Sequence, residues 1–347
     1  MARTVVAETR LADGRALAIA LADATDASAM CRVIVDAFSH RRPVMPAPAA
    51  LGETPDNIVA EMTAGFGVLA LVAGEPVGVV VVSLDGRRAG IHRVSVRPGF
   101  QRLGVASVML GVVGDLLAAH AVDEARLIAR AELPEVVGWW QRHGFVECGR
   151  HGPNIELRHP VAVRVAVPAA DDMHVLGVRL AGLLRAGDVV IAEGDLGAGK
   201  TTLAQGIGEG LRVAGPVVSP TFVLSRVHPS TVGGPVFVHV DAYRLGSFAE
   251  LEDIDVETGL DGAVTYIEWG AGLAEGLADV RLGIDIRRSV DPRDETRWVF
   301  LMPVGERWER ARADLLVLAE PTEPTVVSDR SVSAGPADAD SLAKEAM

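Results

Sequence analysis

The chain has 347 residues, a length that suggests about two domains. Its 33 Lys plus Arg stand against 46 Asp plus Glu, a net charge of -13, which argues against a protein that grips nucleic acid unaided, because that affinity comes from neutralising phosphates; RNA as the substrate of a larger assembly stays open. Hydrophobic residues reach 49% with only 4% aromatic, so Val, Leu, Ile and Ala must fill the cores, and the two cysteines, Cys31 and Cys148, have no metal-ligand spacing and make no disulfide framework, which points to a reducing compartment.

The first residues, MARTVVAETR, carry charge where a signal peptide needs an apolar stretch, and no apolar run is long enough to span a bilayer. The expected location is the cytoplasm, with no membrane contact. Ala18 to Phe38 reads as a short strand and then a helix, with Asp23, Thr25 or Asp26 as candidate caps. Ser39 to Asp56 holds Pro43, Pro46, Pro48 and Pro55 and reads as a loop. Val68 to Ala73 and Val77 to Leu84 are apolar runs joined by Gly74-Glu75-Pro76, a hairpin pattern. Ile91 to Val96 is a strand, followed by a Gly-containing turn and a helix from about Gln101 to His120. Arg126 to Ala131 reads as a strand, Pro134 to His143 as a helix, and Gly144-Phe145-Val146-Glu147 as the start of another strand.

A break falls near His159-Pro160, after which strands and helices alternate. Asp171 to Leu184 is a helix, Asp188 to Glu193 a strand entering a glycine-rich turn, and Lys200 to Leu211 a helix. Val236 to Val240, Val264 to Ile267 and Val280 to Ile286 are strand candidates. The segment from about Glu320 is rich in Pro, Ser, Ala and Asp without a periodic apolar face, and reads as a disordered tail.

Gly194-Asp195-Leu196-Gly197-Ala198-Gly199-Lys200-Thr201 matches G-x-x-x-x-G-K-[ST] in full. Glycines let successive backbone N–H groups turn inward as an anion nest, and the following helix adds the positive end of its dipole. Lys200 would then reach the β- and γ-phosphates of a nucleotide, and Thr201 would give Mg²⁺ a hydroxyl ligand. The strand Val189-Val190-Ile191 before the motif and the helix after it supply the context that this chemistry needs. A metal-bound nucleotide also needs a carboxylate at a nearby strand end. Val236 to Asp241 and Val264 to Glu268 both end in an acid, and either could hold Mg²⁺ or polarise the attacking water.

The order GDLGAGKTT, VSPTF, HVDAYRL, EL and IEW, from about Val165 to about Arg310, resembles the TsaE family of tRNA threonylcarbamoyl-adenosine synthesis. The family's P-loop corresponds to Gly194 through Thr202, its Ser-Pro-Thr switch segment to Ser219-Pro220-Thr221, its His-x-Asp-x-Tyr-Arg stretch to His239, Asp241, Tyr243 and Arg244, and its Glu-Trp pair to Glu268-Trp269. The resemblance implies that this loop binds ATP, that Thr201 and Glu268 hold Mg²⁺, and that Asp241 serves hydrolysis beside Lys200. It also implies an ATPase that works with TsaD and TsaB and reaches tRNA only through that complex. A departure lies at Ile254-Asp255, where the family often has Ile-Gly.

In the N-terminal half, Gln101-x-x-Gly104-x-Ala106 resembles the acetyl-CoA motif of the GNAT acetyltransferases. Free N–H groups at a helix start suit a pyrophosphate, and small residues let it approach. The resemblance assigns acetyl-CoA binding to Gln101, Arg102, Leu103, Gly104, Val105 and Ala106. Trp140-x-x-x-Gly144-Phe145 is similar to the family's later Tyr-x-x-x-Gly-Phe stretch, but Trp140 has no hydroxyl to give a departing thiolate, and the chain's two tyrosines, Tyr243 and Tyr266, lie in the other half. Glu132, Glu135, His92 and His143 are the available bases, each better explained as a surface or structural residue.

The expected fold class is therefore α/β in two domains. An acetyltransferase-like mixed sheet spans 1–160, a P-loop NTPase sheet with flanking helices spans 161–312, and a disordered tail occupies 320–347. The first functional reading is an ATPase of tRNA modification whose fused half binds acetyl-CoA. The alternative is an amine N-acetyltransferase with the P-loop half as regulator. A small-molecule kinase is disfavoured because no separate lid or acceptor segment is evident.

Overall fold

The structure, a computed structural model, describes residues 3–320 apart from 222, 246–249, 251–261 and 290–292. The tail from 321 onwards and the Ile254-Asp255 departure lie outside the described residues.

Two sheets divide the chain. The first has eight strands in the order β1-β2-β3-β4-β5-β6-β8-β7. They are β1 (Val5–Arg10), β2 (Ala16–Ala22), β3 (Gly65–Val72), β4 (Glu75–Asp85), β5 (Arg88–Val96), β6 (Glu124–Arg130), β7 (Val146–His151) and β8 (Asn154–Pro160). Neighbours are antiparallel except β5 and β6, which run parallel. The turn between β3 and β4 is Ala73-Gly74, with φ of 50° and 81°, so both central residues are left-handed as a tight hairpin needs. Four helices cover this sheet: α1 (Ala27–Ser39), α2 (Pro55–Thr63), α3 (Val105–Ala119) and α4 (Pro134–Arg142). The unbroken run Val79-Val80-Val81-Val82 in β4 follows from this. Val79 and Val81 face the α1 and α2 side, while Val80 and Val82 face the core containing α3.

Asp23 opens the first helical segment by accepting from Thr25 N at 2.7 Å. The loop between α1 and α2 is irregular as expected, although α2 starts at Pro55, with Thr54 accepting from Asn57 N at 3.3 Å. The third helix starts later than the sequence reading. Residues 101–104 form turns, and helical backbone begins at Val105 after Gly104, whose φ is 90°.

The second sheet has seven strands in the order β11-β12-β13-β10-β14-β15-β9. They are β9 (Val163–Val167), β10 (Val189–Gly194), β11 (Ser225–His228), β12 (Val236–Asp241), β13 (Ala263–Glu268), β14 (Arg281–Arg288) and β15 (Arg297–Val304). The central four, β12, β13, β10 and β14, are parallel. Helices α5 (Ala170–Ala181) and α6 (Lys200–Gly210) pack together on one face. Two short helices, α7 (Glu306–Arg310) and α8 (Arg312–Leu318), complete the core, with Trp308 and Leu315 fully buried. Because Leu315 and Leu318 belong to that core, the folded unit continues past residue 312, where the sequence reading closed it.

The break at His159-Pro160 falls between the sheets: β8 ends at Pro160 and β9 starts at Val163 in the other sheet. The halves touch. Phe300 of β15 joins the core of the first sheet. Arg312 bonds Asp123 at 3.0 Å and the Val161 carbonyl at 2.6 Å, and Arg287 of β14 pairs with Asp115 of α3 at 2.6 Å.

Candidate functional site

The chain leaves β10 at its carboxyl end and turns through Gly194 to Gly199 into α6, so the loop sits where open parallel sheets bind ligands. Gly194 has φ of 141°, and a Cβ there would lie 2.5 Å from the Ile286 carbonyl oxygen of β14. Only glycine fits that close approach. Arg288, at the end of β14, braces the loop by donating to the Leu196 carbonyl at 3.0 Å. From the other side, the buried Tyr266 hydroxyl donates to the Lys200 carbonyl at 2.8 Å. Lys200 itself is buried. Its Nζ donates to the carbonyls of Gly194 at 2.5 Å and Asp195 at 3.1 Å and lies 3.6 Å from the centre of the Trp269 ring. Burial pulls its ammonium below the usual lysine range, against the attraction of Glu268 and Glu193.

The two strand-end acids stand side by side. In the parallel register, Asp241 of β12 is opposite Glu268 of β13. Both are buried. Thr201 Oγ1 donates to Glu268 Oε1 at 2.9 Å and is 3.2 Å from Oε2. His239 Nε2 meets the same Oε1 at 2.9 Å. Asp241 instead holds the Ser219-Pro220-Thr221 segment, its Oδ2 accepting from Thr221 at 2.6 Å and Ser219 at 3.2 Å, while Oδ1 accepts from Tyr243 N at 3.1 Å. A cleft of ≈ 360 Å³ is lined by Lys200, Thr201, Thr221, Asp241, Glu268 and Trp269 among others. The structure thus brings the loop, both acids and the Ser-Pro-Thr segment into one cleft. Leu196 stands 85% exposed at the loop tip, and Asp195 and Gly197 beside it are exposed as well.

The oxygen donors fit Mg²⁺. A hydroxyl and a carboxylate lie in contact, and among the described residues no three His, Cys, Asp or Glu side chains group to hold a metal alone. A small hard cation there would complete its shell from phosphates and water, as Mg²⁺ does. The sequence reading gave no role to Tyr266, Trp269, His239 or Arg288. The first three were visible as neighbours of the two acids, at the two-residue strand period or next in sequence, whereas nothing in the sequence ties Arg288 to the loop.

In the first sheet, β5 and β6 pair only over Arg88–Gly90 and Glu124–Arg126 and then part company. The turn Gln101–Gly104 follows β5, and Gln101 Nε2 donates to the Val96 carbonyl at 3.1 Å. The N–H groups of Arg102, Leu103 and Gly104 have no backbone acceptor among the described residues, and Val105 and Ala106 open α3, where N–H groups lack intrahelical partners. A Cβ on Gly104 would meet no atom within 4 Å. The loop after α1 spans the parted strands. Arg41 donates to the Val94 carbonyl of β5 at 2.9 Å, while Arg130 of β6 donates to the carbonyls of Met45 at 2.6 Å and Pro46 at 3.0 Å. Trp140 is buried against Phe145 at 4.9 Å and Trp139 at 4.8 Å, a core residue. Of the possible bases, Glu132 pairs with Arg130, His92 bonds Ser83 at 2.9 Å, His143 bonds Ser107 at 3.0 Å, and Glu135 is exposed.

Comparison with known proteins separates the halves in the same way. The family model "Threonylcarbamoyl adenosine biosynthesis protein TsaE" matches residues 167–297. A Streptomyces coelicolor protein named tRNA threonylcarbamoyladenosine biosynthesis protein TsaE is 56% identical over 149 residues, 42% of this chain and 99% of that protein. The chain belongs to the TsaE family. A TsaE of Mycobacterium leprae is 51% identical over 34% of this chain and 78% of its own length. The GNAT acetyltransferase model matches residues 32–145, so this TsaE family member is fused to a GNAT-fold half. Among solved structures, YdiB of Bacillus subtilis is 28% identical over 44% of this chain and 93% of its own, with a TM-score of 0.37. The GNAT domain of Streptomyces lividans PAT is 15% identical over 44% and 96%, with a TM-score of 0.39. Among the described residues no helix is long and apolar enough to cross a membrane.

Proposed function

We propose that the cleft of the second sheet binds and hydrolyses ATP with Mg²⁺, and that this hydrolysis supports formation of threonylcarbamoyl-adenosine on tRNA in a cytoplasmic assembly with TsaD and TsaB. One observation carries the reading: the P-loop hydroxyl of Thr201 and the carboxylate of Glu268 are already in contact at the end of parallel strands, with Lys200 and Asp241 lining the same cleft. The loop from Gly194 to Thr202 cradles the phosphates through its unpaired backbone N–H groups, and Lys200 swings from its carbonyl contacts to the terminal phosphates. Thr201 and Glu268 hold Mg²⁺, which when bound draws negative charge from the phosphates. Asp241 orients the attacking water once the Ser219-Pro220-Thr221 segment releases it. The net charge of -13 fits a subunit that leaves RNA contact to its partners. A pull-down from native lysate tests the assembly. Recovery of TsaD and TsaB supports it, and their absence while the chain hydrolyses ATP alone counts against it.

A second reading stands on a different observation. The gap between β5 and β6, with free N–H groups at the start of α3, suits the pyrophosphate and thioester arm of acetyl-CoA. We infer that residues Gln101 to Ala106 bind acetyl-CoA, and that any acetyl transfer to an amine is slow because Trp140 offers no proton to the thiolate. Calorimetry with acetyl-CoA tests binding. Acetylation that proceeds normally without the ATPase assembly would favour the alternative, in which the P-loop half regulates an acetyltransferase. We also propose that the units divide near Pro160, as 1–160 and a second unit from 161 through α8, followed by the tail.

A further inference from the structure

His239 lies in the middle of β12, opposite Tyr266 of β13 in the parallel register. Its side chain shares a strand face with Phe237 and Asp241 by the two-residue period. It is fully buried, between the Phe237 ring at 6.0 Å and the Tyr266 ring at 5.6 Å. One ring nitrogen, Nε2, is 2.9 Å from Glu268 Oε1, and the other, Nδ1, is buried with no partner among the described residues. A carboxylate only accepts, so the network assigns the proton to Nε2. Packing alone explains this residue poorly, because an unpaired ring nitrogen in an apolar core is unfavourable and a phenyl ring would fill the space. The single bond to Glu268 is what the imidazole adds. Glu268 Oε1 takes that bond while it also accepts from Thr201, so the three side chains form one line from the core to the P-loop hydroxyl.

We propose that His239 is a positioning residue: its Nε2–H fixes the Glu268 carboxylate in the rotamer that faces Thr201 and the Mg²⁺ position. The inference rests on the ATP-site reading above. Groups behind a metal ligand orient it and tune its affinity, and their loss typically weakens metal binding about 10–100-fold. His239 stands one step further back than the residues that touch the ligand, so its effect passes through Glu268 alone.

The test compares two amides in the full-length chain. Glutamine carries its NH2 about as far from the backbone as Nε2, whereas asparagine reaches only to the level of Nδ1. Calorimetric titration with ADP, with and without Mg²⁺, gives the gain in affinity that the metal confers. His239→Asn should reduce that gain about tenfold or more, with ADP affinity in the absence of Mg²⁺ unchanged, while His239→Gln should keep most of it. An unchanged gain in His239→Asn, or an equal loss in both variants, overturns the proposal. Should the asparagine variant not fold, nitrogen-15 spectra of the unmodified protein decide. They should contain one histidine in the Nε2–H form whose proton exchanges slowly, and an Nδ1–H form for that residue overturns the assignment. Failure of the wild-type chain to bind ADP at all would instead remove the ATP-site reading, and the proposal with it.

Discussion

Replacement of Lys200 by methionine separates the chemistry of the P-loop from its folding. The stem of Lys200 is buried and methionine fills nearly the same volume, so packing is retained. What is lost is an ammonium that bonds two loop carbonyls and lies 3.6 Å from the centre of the Trp269 ring. Burial already holds that ammonium below its usual range, which means desolvation outweighs the attractions around it. Relief of that desolvation and loss of the two carbonyl bonds oppose each other, so exchange of this charge for an apolar group should change stability little. In the reaction the balance reverses. A donor aimed at charge that develops in the transition state is worth about 2.7–4 kcal/mol, so Lys200→Met should lower kcat for ATP about 10²–10³-fold. Phosphate release at saturating ATP measures the first quantity, and thermal melting of the same preparation controls for the second. A variant that melts like wild type and hydrolyses ATP within tenfold of its rate refutes the role of Lys200.

Thr201→Ala and Glu268→Ala should each weaken Mg²⁺-dependent ADP binding, whereas Asp241→Ala should lower kcat more than binding; calorimetry beside turnover reads both, and the opposite pattern reverses the two acids. Gly104→Glu should abolish acetyl-CoA binding by calorimetry while Gly104→Ala, which shares the strain of a φ of 90°, keeps most of it, since only the longer acidic side chain repels phosphates. Burial against Phe145 lowers the His159 pKa to about 4 from its ordinary 6.5, so stability is full above 6.5 and is lost as pH falls toward 4, by up to about 3 kcal/mol; melting from pH 7 to 4 should show this drop, and His159→Gln should flatten it. A chain cut near Pro160 should give two folded pieces, with 1–160 the less stable because it loses Phe300 from its core; circular dichroism of each piece checks this, and a fragment without cooperative melting counts against the division.

The parts of the fold that were legible are those where one local rule dominates. The cap candidates Asp23, Thr25 and Asp26 before an amphipathic segment, Pro134 at the first position of a helix, and an apolar run followed by Gly-x-x-x-x-Gly-Lys-Thr each announce an element almost alone. Errors came where tertiary contact sets the outcome. The segment Gln101–Gly104 has no helix breaker except its glycine, yet it turns because Gln101 is tied back to Val96 and Gly104 takes a left-handed φ. The edge strands β1 and β11 are largely exposed, so they lack the apolar alternation that would have announced them. The short helices α7 and α8 hold only five and seven residues, and they are helical because Trp308 and Leu315 must reach the core.

The candidate site divides along a similar line. The residues proposed to face the ligand stand out in the sequence because the ligand's chemistry restricts them: a phosphate needs glycines and a lysine, and a hard cation needs oxygen. Residues that hold those groups in place are restricted only by neighbours, and neighbours in a parallel sheet can be far apart in sequence. Glu268 and Asp241 are both acids at strand ends; residue type and position left their roles open, and only the family resemblance separated them. Their partners differ. Glu268 is bonded to the P-loop hydroxyl and to a buried imidazole, a fixed arrangement suited to a ligand that must not move. Asp241 is bonded to Ser219 and Thr221 in the segment after α6, hydroxyls that can let go, which suits a group needed only when the site is loaded. The difference between them is therefore one of attachment, and a reading of residue types without register has no access to it.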